Sequence, residues 1–266
     1  MLARAPSQTV GFGQTIPASC QGLSFLMLSQ VLKRVASVTV RDTESYALLK
    51  SAGVDVGLSW DVAFVTDATI ESVARAHTLL DRSGLVPERT VLFSVRPFDA
   101  MYPADQHALE RTLAQLSKSL LDRGHQVGIL IQSDVASWDE DRTSATRIAR
   151  SDPRIRIVDC LQDREDPAPV ATLTALLNLA NIAVGVRYHT TVLRLASGRV
   201  PFNLYYSRKG GDLQRRLGLT GCPISDAAGK ATVHALEATA DSSFDPSFIR
   251  RDIQHHFAEA LKKAAT

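Results

Sequence analysis

Arg187 and His189 stand at the end of an apolar, β-branched run at residues 182–186. Such a run is typical of a buried strand in a parallel sheet. Arginine offers paired donors for a carboxylate or a phosphate, and histidine exchanges protons near neutral pH. Because residues two apart on a strand point to the same side, we expect both side chains to reach one site. The alternative is structural: an arginine paired with a carboxylate and a histidine satisfied by the backbone.

Arg96 and Lys209 are two further candidate cations. Arg96 ends a predicted strand at residues 90–95, so we expect it on the same carboxyl edge of the sheet as Arg187. Lys209 lies between a predicted strand and a predicted helix, beside a glycine pair, in a pattern that suits a phosphate. A surface turn at Arg96 and a flexible loop of solvated charges at Lys209 are the alternatives.

Thr190 and Thr191 follow the histidine and precede a short helical pattern at residues 192–196. Threonine is a favoured N-cap residue, so we expect this pair to begin that helix. The first backbone N–H groups of a helix attract anions. The sequence therefore predicts an anion site where the strand ends and the helix begins.

Strand and helix patterns alternate along the chain in two blocks, which predicts an α/β fold with parallel sheets and right-handed connections. In the first block, strands are predicted at residues 9–13, 37–40 and 56–58, and helices at 22–36 and 43–52. In the second, strands are predicted at residues 90–95, 126–131, 155–158, 182–186 and 200–205, and helices at 104–123, 139–150, 170–179, 192–196 and 211–217. The expected architecture is thus a pair of Rossmann-like, doubly wound domains.

The expected domain boundaries follow a polar, glycine-containing stretch near residue 84 and the last helical pattern. We predict an N-terminal α/β domain at residues 1–84, a Rossmann-like domain at residues 85–240 and a closing amphipathic helix at residues 241–266. The first block supports only about three strands, fewer than the second. We therefore expect the first domain to be truncated or unusually small.

The composition and charge of the chain argue against several classes of function. The chain has 266 residues, interspersed charges and a formal net charge of +2, which argues against nucleic-acid binding. Its apolar runs are too short for a membrane span or a signal peptide, so we expect a cytoplasmic protein. Three cysteines without metal-binding spacing predict free thiols in a reducing compartment. His255 and His256 lack a second ligand pair, so no metal site is predicted.

Several motifs together resemble the polysaccharide pyruvyl transferase family. The family pattern of a glycine, Arg-x-His and a helix before a Val-Pro strand matches the sequence from Gly185 to Pro201, and its downstream lysine matches Lys209. Its Arg-Asp-x-x-Ser and Asp-x-Ala-Phe elements match the sequence at residues 41–45 and 61–64. Ser94-Val95-Arg96-Pro97 is similar to its strand-end arginine. The matches span most of the chain in the family's order.

The resemblance implies a glycosyltransferase-B-like fold and transfer of the pyruvyl group of phosphoenolpyruvate onto a sugar as a ketal. The donor is a substrate, and no cofactor or metal is implied. The acceptor would be a sugar or a lipid-linked oligosaccharide. His189 and Arg187 would be catalytic, and the substrate-binding residues would be Arg96, Lys209, Tyr188, Thr190 and Thr191. Family members usually begin with a glycine-rich βαβ unit, which is not recognised before Thr9, so the chain is expected to start within the first domain.

Two other functions remain open at this stage. A nucleotide-sugar-dependent glycosyltransferase could hold a diphosphate on the same basic edge. A non-catalytic remnant of the pyruvyl transferase scaffold would agree with the small first block. The sequence does not fix the oligomeric state, and a homo-oligomer is one option.

Overall fold

The structure is a computed structural model that describes residues 8–98, 105–135, 139–163, 165–227 and 229–265. Eleven strands are present in these ranges: β1 Val10–Gln14, β2 Ser37–Val40, β3 Gly57–Leu58, β4 Thr90–Ser94, β5 Gln126–Ile131, β6 Asp134–Val135, β7 Asp139–Glu140, β8 Arg156–Asp159, β9 Ile182–Gly185, β10 Phe202–Tyr205 and β11 Gly221–Pro223. The same ranges hold ten α-helices: α1 Gly22–Leu32, α2 Thr43–Ser51, α3 Ile70–Arg82, α4 Gln106–Asp122, α5 Arg142–Ala149, α6 Pro169–Leu179, α7 Tyr188–Ala196, α8 Arg208–Leu217, α9 Gly229–Glu237 and α10 Ser247–Ala265.

The chain forms two compact units, one at residues 1–65 with 246–266 and the other at residues 66–245. The first unit contains a parallel sheet in the order β1-β2-β3. Its core is built from residues of β2, α2 and the turn before β3, namely Val38, Val40, Leu49, Val54 and Val56. Helix α10 packs on β1 and β2.

The second unit contains a six-stranded sheet in the order β11-β10-β9-β4-β5-β8, with every neighbouring pair parallel. Counted from β4 along the chain, this is the 3-2-1-4-5-6 order of a doubly wound Rossmann sheet. Helix α4 contacts both α5 and α9 in one layer, and α6 contacts both α3 and α7 in a second. The α/β class with Rossmann-like parallel sheets is therefore confirmed.

The domain boundaries differ from those expected at residues 84 and 241. Helix α3, which the sequence patterns did not reveal, packs against α6 and buries Ala76 and Leu80 completely. Burial of that apolar face joins residues 66–84 to the second unit. The closing helix α10 belongs to the first unit, because Ile249 and Ile253 are buried there.

Within the described residues, none of the helices combines the length and apolarity needed to cross a membrane.

Candidate functional site

The strand order reverses between β4 and β9, and the carboxyl ends of such strands form the ligand-binding edge in sheets of this type. Ser94, the last residue of β4, is completely buried. Its hydroxyl accepts the backbone N–H groups of Val186 (2.8 Å) and Arg187 (2.9 Å) and donates to the carbonyl of Val184 (3.3 Å). Ser94 thus fixes the backbone just after β9 and places Arg187 at the switch point.

Arg187 is the N-cap residue of α7, and its guanidinium contacts two carboxylates. Nε donates to both carboxylate oxygens of Asp141 at 3.1 Å and to the carbonyl of Val95 at 2.8 Å. Nη2 donates to Asp141 and, at 2.8 Å, to Asp139, while Nη1 lies 3.1 Å from the other Asp139 oxygen. Every nitrogen of the Arg187 guanidinium is therefore engaged within the protein.

The two carboxylates differ in their surroundings. Burial raises the pKa of Asp141, and the hydrogen bonds from Arg187 and from two backbone N–H groups only partly offset that effect. Burial also acts to raise the pKa of Asp139, but Arg187, Ser133 and Arg96 outweigh it, so this pKa is lowered. Burial alone would lower the pKa of Arg187, whereas its two carboxylate partners raise it.

Arg96 reaches the same cluster from the end of β4. Its Nη2 lies 3.4 Å from Asp139 Oδ1, and its Nη1 donates to the hydroxyl of Tyr206 at 2.7 Å. The guanidinium also lies 5.6 Å from the centroid of the Tyr206 ring, which packs edge-on against Phe98. The structure thus brings Arg96 and Arg187 to one carboxylate, that of Asp139, as expected for residues on one sheet edge.

His189 is not on the strand, so the expectation based on strand alternation was wrong. Strand β9 ends at Gly185 and α7 begins at Tyr188, which places His189 in the first helical turn with its side chain exposed. Its ring centroid lies 5.6 Å from that of Tyr188. Lys209 contacts the same Tyr188 ring, with its Nζ 5.3 Å from the ring centroid.

Lys209 lies in the first turn of α8, which begins at Arg208 where a loop was expected. The helix starts early because Gly210 and Gly211 approach the Tyr205 ring. A Cβ at Gly210 would lie only 2.7 Å from Tyr205 Cβ, and one at Gly211 would lie 3.1 Å from the ring. The glycine pair therefore serves helix packing, and Lys209 projects from an ordered helix.

Thr190 and Thr191 are buried inside α7 and do not form its N-cap. Thr190 Oγ1 donates to Gln132 Oε1 at 2.9 Å, just after β5, and Thr191 Oγ1 donates to Asn203 Oδ1 at 3.1 Å. Asn203 in turn donates to the carbonyl of Gly210 at 3.1 Å. The threonines therefore tie the starts of α7 and α8 to the sheet.

Sequence reasoning missed the residues that surround Arg187. The acidic run at residues 139–141 was predicted as the first turn of a helix, but α5 begins only at Arg142 and residues 139–140 form β7. The signal that could have found them is the cost of an unpaired arginine at a buried strand end, which demands a carboxylate. Ser94, a hydroxyl at the end of an apolar strand, was a second available signal.

The residues at this edge of the sheet suit the binding of an anionic ligand. Two arginines meet at the switch point, and Lys209 and His189 lie on the first turns of adjacent helices. The N-cap residues of α7 and α8, Arg187 and Ser207, make no side-chain capping hydrogen bond to their own helices, and the positive end of each helix dipole favours an anion. In the same part of the chain, no three His, Cys, Asp or Glu residues are grouped so as to hold a metal ion.

Structures of known proteins share this fold. An α,α-trehalose-phosphate synthase (UDP-forming) from Burkholderia vietnamiensis superposes with a TM-score of 0.52 at 13% identity, covering 96% of this chain and 63% of that one. Anabaena Alr3699/HepE, solved in complex with UDP, gives 0.51 at 13% identity over 91% of this chain and 70% of that one. At this identity the likeness concerns the fold alone, and it confirms the expected glycosyltransferase-B-like class.

Sequence comparison gives the family. The amylovoran biosynthesis protein AmsJ of Erwinia amylovora is 24% identical over 203 residues, which are 71% of this chain and 47% of AmsJ. The chain thus matches about half the length of that relative. Residues 1–208 match the sequence profile of the family described as polysaccharide pyruvyl transferase. Because this match covers most of the chain, including the switch-point edge, the chain belongs to the polysaccharide pyruvyl transferase family.

Proposed function

We propose that this chain transfers the pyruvyl group of phosphoenolpyruvate onto a sugar of a cell-surface or exo-polysaccharide, or onto its lipid-linked precursor, as a ketal. Family membership supports a transferase that modifies polysaccharides. The observation that carries the donor assignment is the meeting of Arg96 and Arg187 around Asp139 at the switch point. Anionic ligands bind at this edge in doubly wound sheets.

Phosphoenolpyruvate carries a phosphate and a carboxylate, so its site needs several fixed donors. Arg96 and Arg187 supply planar guanidinium groups suited to bidentate contacts. Lys209 supplies a third cation from the first turn of α8. The positive end of the α7 dipole adds to this edge, so that one anionic group would be held by arginine and another would lie near a helix N-terminus.

Ketal formation requires three proton movements. A proton is added to the methylene carbon of the enol, which becomes a methyl group, while a sugar hydroxyl adds at the neighbouring carbon and loses its own proton. Phosphate then leaves, and a second hydroxyl adds to close the ketal ring and gives up its proton, which the released phosphate carries away. We assign the proton exchange to His189, whose exposed imidazole sits beside Tyr188 and near the proposed anion site.

The test compares His189→Ala with His107→Ala, which removes an exposed imidazole from α4 of the same unit. Phosphate release and pyruvylation of an acceptor glycan are measured, together with phosphoenolpyruvate binding by calorimetry. We expect H189A to lose at least about a hundredfold in turnover, the scale of general acid–base catalysis, and to keep donor affinity within about threefold. H107A should match the wild type. Unchanged turnover in H189A would remove the proposed role.

Binding experiments separate the donor from the nucleotide-sugar alternative. Phosphoenolpyruvate should bind the wild-type chain, and UDP-glucose at the same concentrations should not displace it. Tight binding of the nucleotide sugar without phosphoenolpyruvate binding would favour a glycosyltransferase. Binding of neither donor to a folded chain would favour a non-catalytic scaffold.

A further inference from the structure

Asp139 and Asp141 both contact Arg187, but the surrounding protein fixes the Asp141 carboxylate more strongly than that of Asp139. The Asp141 side chain is completely buried, and its Oδ2 accepts the backbone N–H groups of Gln132 (2.9 Å) and Ser133 (3.0 Å). Asp141 also directly precedes α5. Moving this carboxylate would leave two N–H groups and part of a guanidinium unsatisfied at once, so Asp141 is a fixed partner of Arg187.

Asp139 is held more loosely. Its side chain keeps 16% of its accessible surface, and its only contact in the described structure besides the two arginines is the Ser133 hydroxyl at 3.0 Å. A hydroxyl can turn to water when its acceptor leaves. Asp139 lies on β7, a two-residue strand that pairs only with the two-residue strand β6 and stands apart from the main sheet. Its carboxylate can therefore leave the arginines with less disruption of the surrounding protein than that of Asp141.

The net charge of the cluster depends on whether Asp139 stays in contact with the arginines. Arg96, Arg187, Asp139 and Asp141 together are neutral, so an incoming anion gains little net attraction from them while all four stay in place. Asp139 also bridges Arg96 and Arg187, the position that a substrate carboxylate or phosphate would need. Once Asp139 withdraws, the remaining three residues carry a net positive charge.

We propose that Asp139 is a built-in competitor that occupies the two arginines until an anionic donor displaces it, whereas Asp141 is the positioning residue that keeps Arg187 aimed at the site. The proposal rests on the donor assignment made above. Asp139 therefore sets a minimum affinity that an incoming anion must exceed. A small anion that engages one arginine gains too little binding free energy to displace Asp139, whereas phosphoenolpyruvate, with two anionic groups, can displace it.

The experiment compares three variants that each remove one negative charge from the same region. Asp139→Asn removes the competitor, and Asp141→Asn weakens the fixed partner. Asp134→Asn changes an exposed carboxylate on β6, the strand that pairs with β7. Dissociation constants for phosphoenolpyruvate and for inorganic phosphate are measured by calorimetry. Thermal unfolding of each variant is recorded alongside.

We expect D139N to bind phosphoenolpyruvate about fivefold tighter than the wild type, the effect of removing one repulsive unit charge near the anion in a water-accessible site. Inorganic phosphate should gain at least as much, because it no longer has to displace Asp139. D134N should change neither constant by more than about twofold. D141N should bind phosphoenolpyruvate more weakly. A general charge effect would tighten binding in all three variants, and a merely structural ion pair would weaken it in both D139N and D141N.

The outcomes distinguish this inference from the proposed function. If the wild type binds phosphoenolpyruvate and D139N binds it no tighter than D134N does, the competitor role is overturned and the donor assignment stands. If D139N alone binds the donor, both are supported, since the competitor then fully blocks the wild type. If no folded variant binds it, both fall. Should D141N unfold, the comparison of D139N with D134N still decides the competitor role.

Discussion

Asp141 forms an ion pair with Arg187 through a carboxylate that has no solvent-exposed surface, while 14% of the Arg187 side-chain surface is exposed. Asp141 is thus the buried partner of the arginine, and Asp139, which keeps 16% of its side-chain surface, is the more exposed one. Ser94 holds the backbone of the same arginine through its N–H group. Arg187 is therefore fixed at both ends, its main chain by a neighbouring strand and its side chain by the residue that precedes α5.

The first prediction concerns the stability of this pair. Asp141→Asn and Arg187→Met should each lower the free energy of unfolding by about 3 kcal/mol, because the first removes the buried one of the two carboxylates that neutralise Arg187 and the second leaves the buried Asp141 without its guanidinium. The double variant should lose about 1–3 kcal/mol less than the sum of the two, since no unpaired charge remains. Urea unfolding of the four proteins closes the cycle. Simple additivity would show that the two side chains do not interact in solution.

Arg194 supports a second prediction. It is completely buried in α7, and its guanidinium donates to the carbonyl of Leu177, to that of Ala180 at 2.8 Å and to that of Asn181 at 2.8 Å, where α6 ends. These carbonyls have no helical partner, so the arginine satisfies them and complements the negative end of the helix. Burial lowers the pKa of Arg194 to about 9.

Arg194→Met keeps the volume and removes the donors, so we expect a loss of about 2–4 kcal/mol in unfolding free energy. Arg199→Met is the matched control. Arg199 reaches the same turn through the Asn181 carbonyl at 3.3 Å but is only half-buried, and its removal should cost about 1 kcal/mol or less. Equal losses measured by urea unfolding would contradict a special role for the buried arginine.

The sequence patterns located the central strands well. The prediction at residues 126–131 coincides with β5, and that at residues 37–40 coincides with β2. Strands of a parallel sheet are covered on both faces, so they appear as continuous apolar, β-branched runs that local composition reveals. The cations Arg96 and Arg187 were placed on one edge for the same reason, because the edge follows from strand direction alone.

The predictions that were wrong concern features that depend on residues far away in the sequence. The chain turns into α7 at Tyr188 because Ser94, far away in sequence, binds the N–H groups of residues 186 and 187, and nothing local marks that turn. Asp139 and Asp141 were assigned to a helix because acidic residues favour a first turn. Their actual role comes from Arg187, whose position relative to them is set by the sheet order.

Gly185 provides a third prediction. It ends β9 directly beneath α7, where an added Cβ would overlap Thr191 Oγ1 and lie 3.1 Å from the Thr191 backbone nitrogen. Gly185→Ala should therefore lower the unfolding free energy by about 1–3 kcal/mol, as overpacking does in a close-packed core. Thr191→Ala removes the atom that is overlapped. The double variant should recover part of the loss, so that the two changes together cost less than their sum in calorimetric unfolding. An additive result would indicate that α7 shifts to accommodate the methyl group without help from Thr191.

A fourth prediction concerns the pH dependence of stability at the turn before β8. Asp152 accepts hydrogen bonds from the backbone N–H of Arg154 at 2.9 Å and from its guanidinium at 2.6–3.2 Å. Chiefly because of the Arg154 side chain, and then its backbone, the pKa of Asp152 falls from 3.8 to about 2. An acid with a lowered pKa in the folded state contributes stability that is fully present above its ordinary pKa. That contribution should be lost as the pH falls from about 4 through about 2.

The measurement follows unfolding free energy against pH for the wild type, Asp152→Asn and Arg154→Met. Above pH 5 the wild type should exceed both variants by a constant margin, because the carboxylate is ionised in both the folded and the unfolded states. The margin should shrink as the pH falls through the interval between 3.8 and about 2, since the unfolded chain takes up the proton first. Asp152→Asn should flatten the curve fully, whereas Arg154→Met should flatten it only in part, because the backbone N–H of residue 154 still binds the carboxylate. A margin that stays constant down to pH 2 would contradict the lowered pKa, and a flattened curve in D152N alone would assign it to a partner other than Arg154.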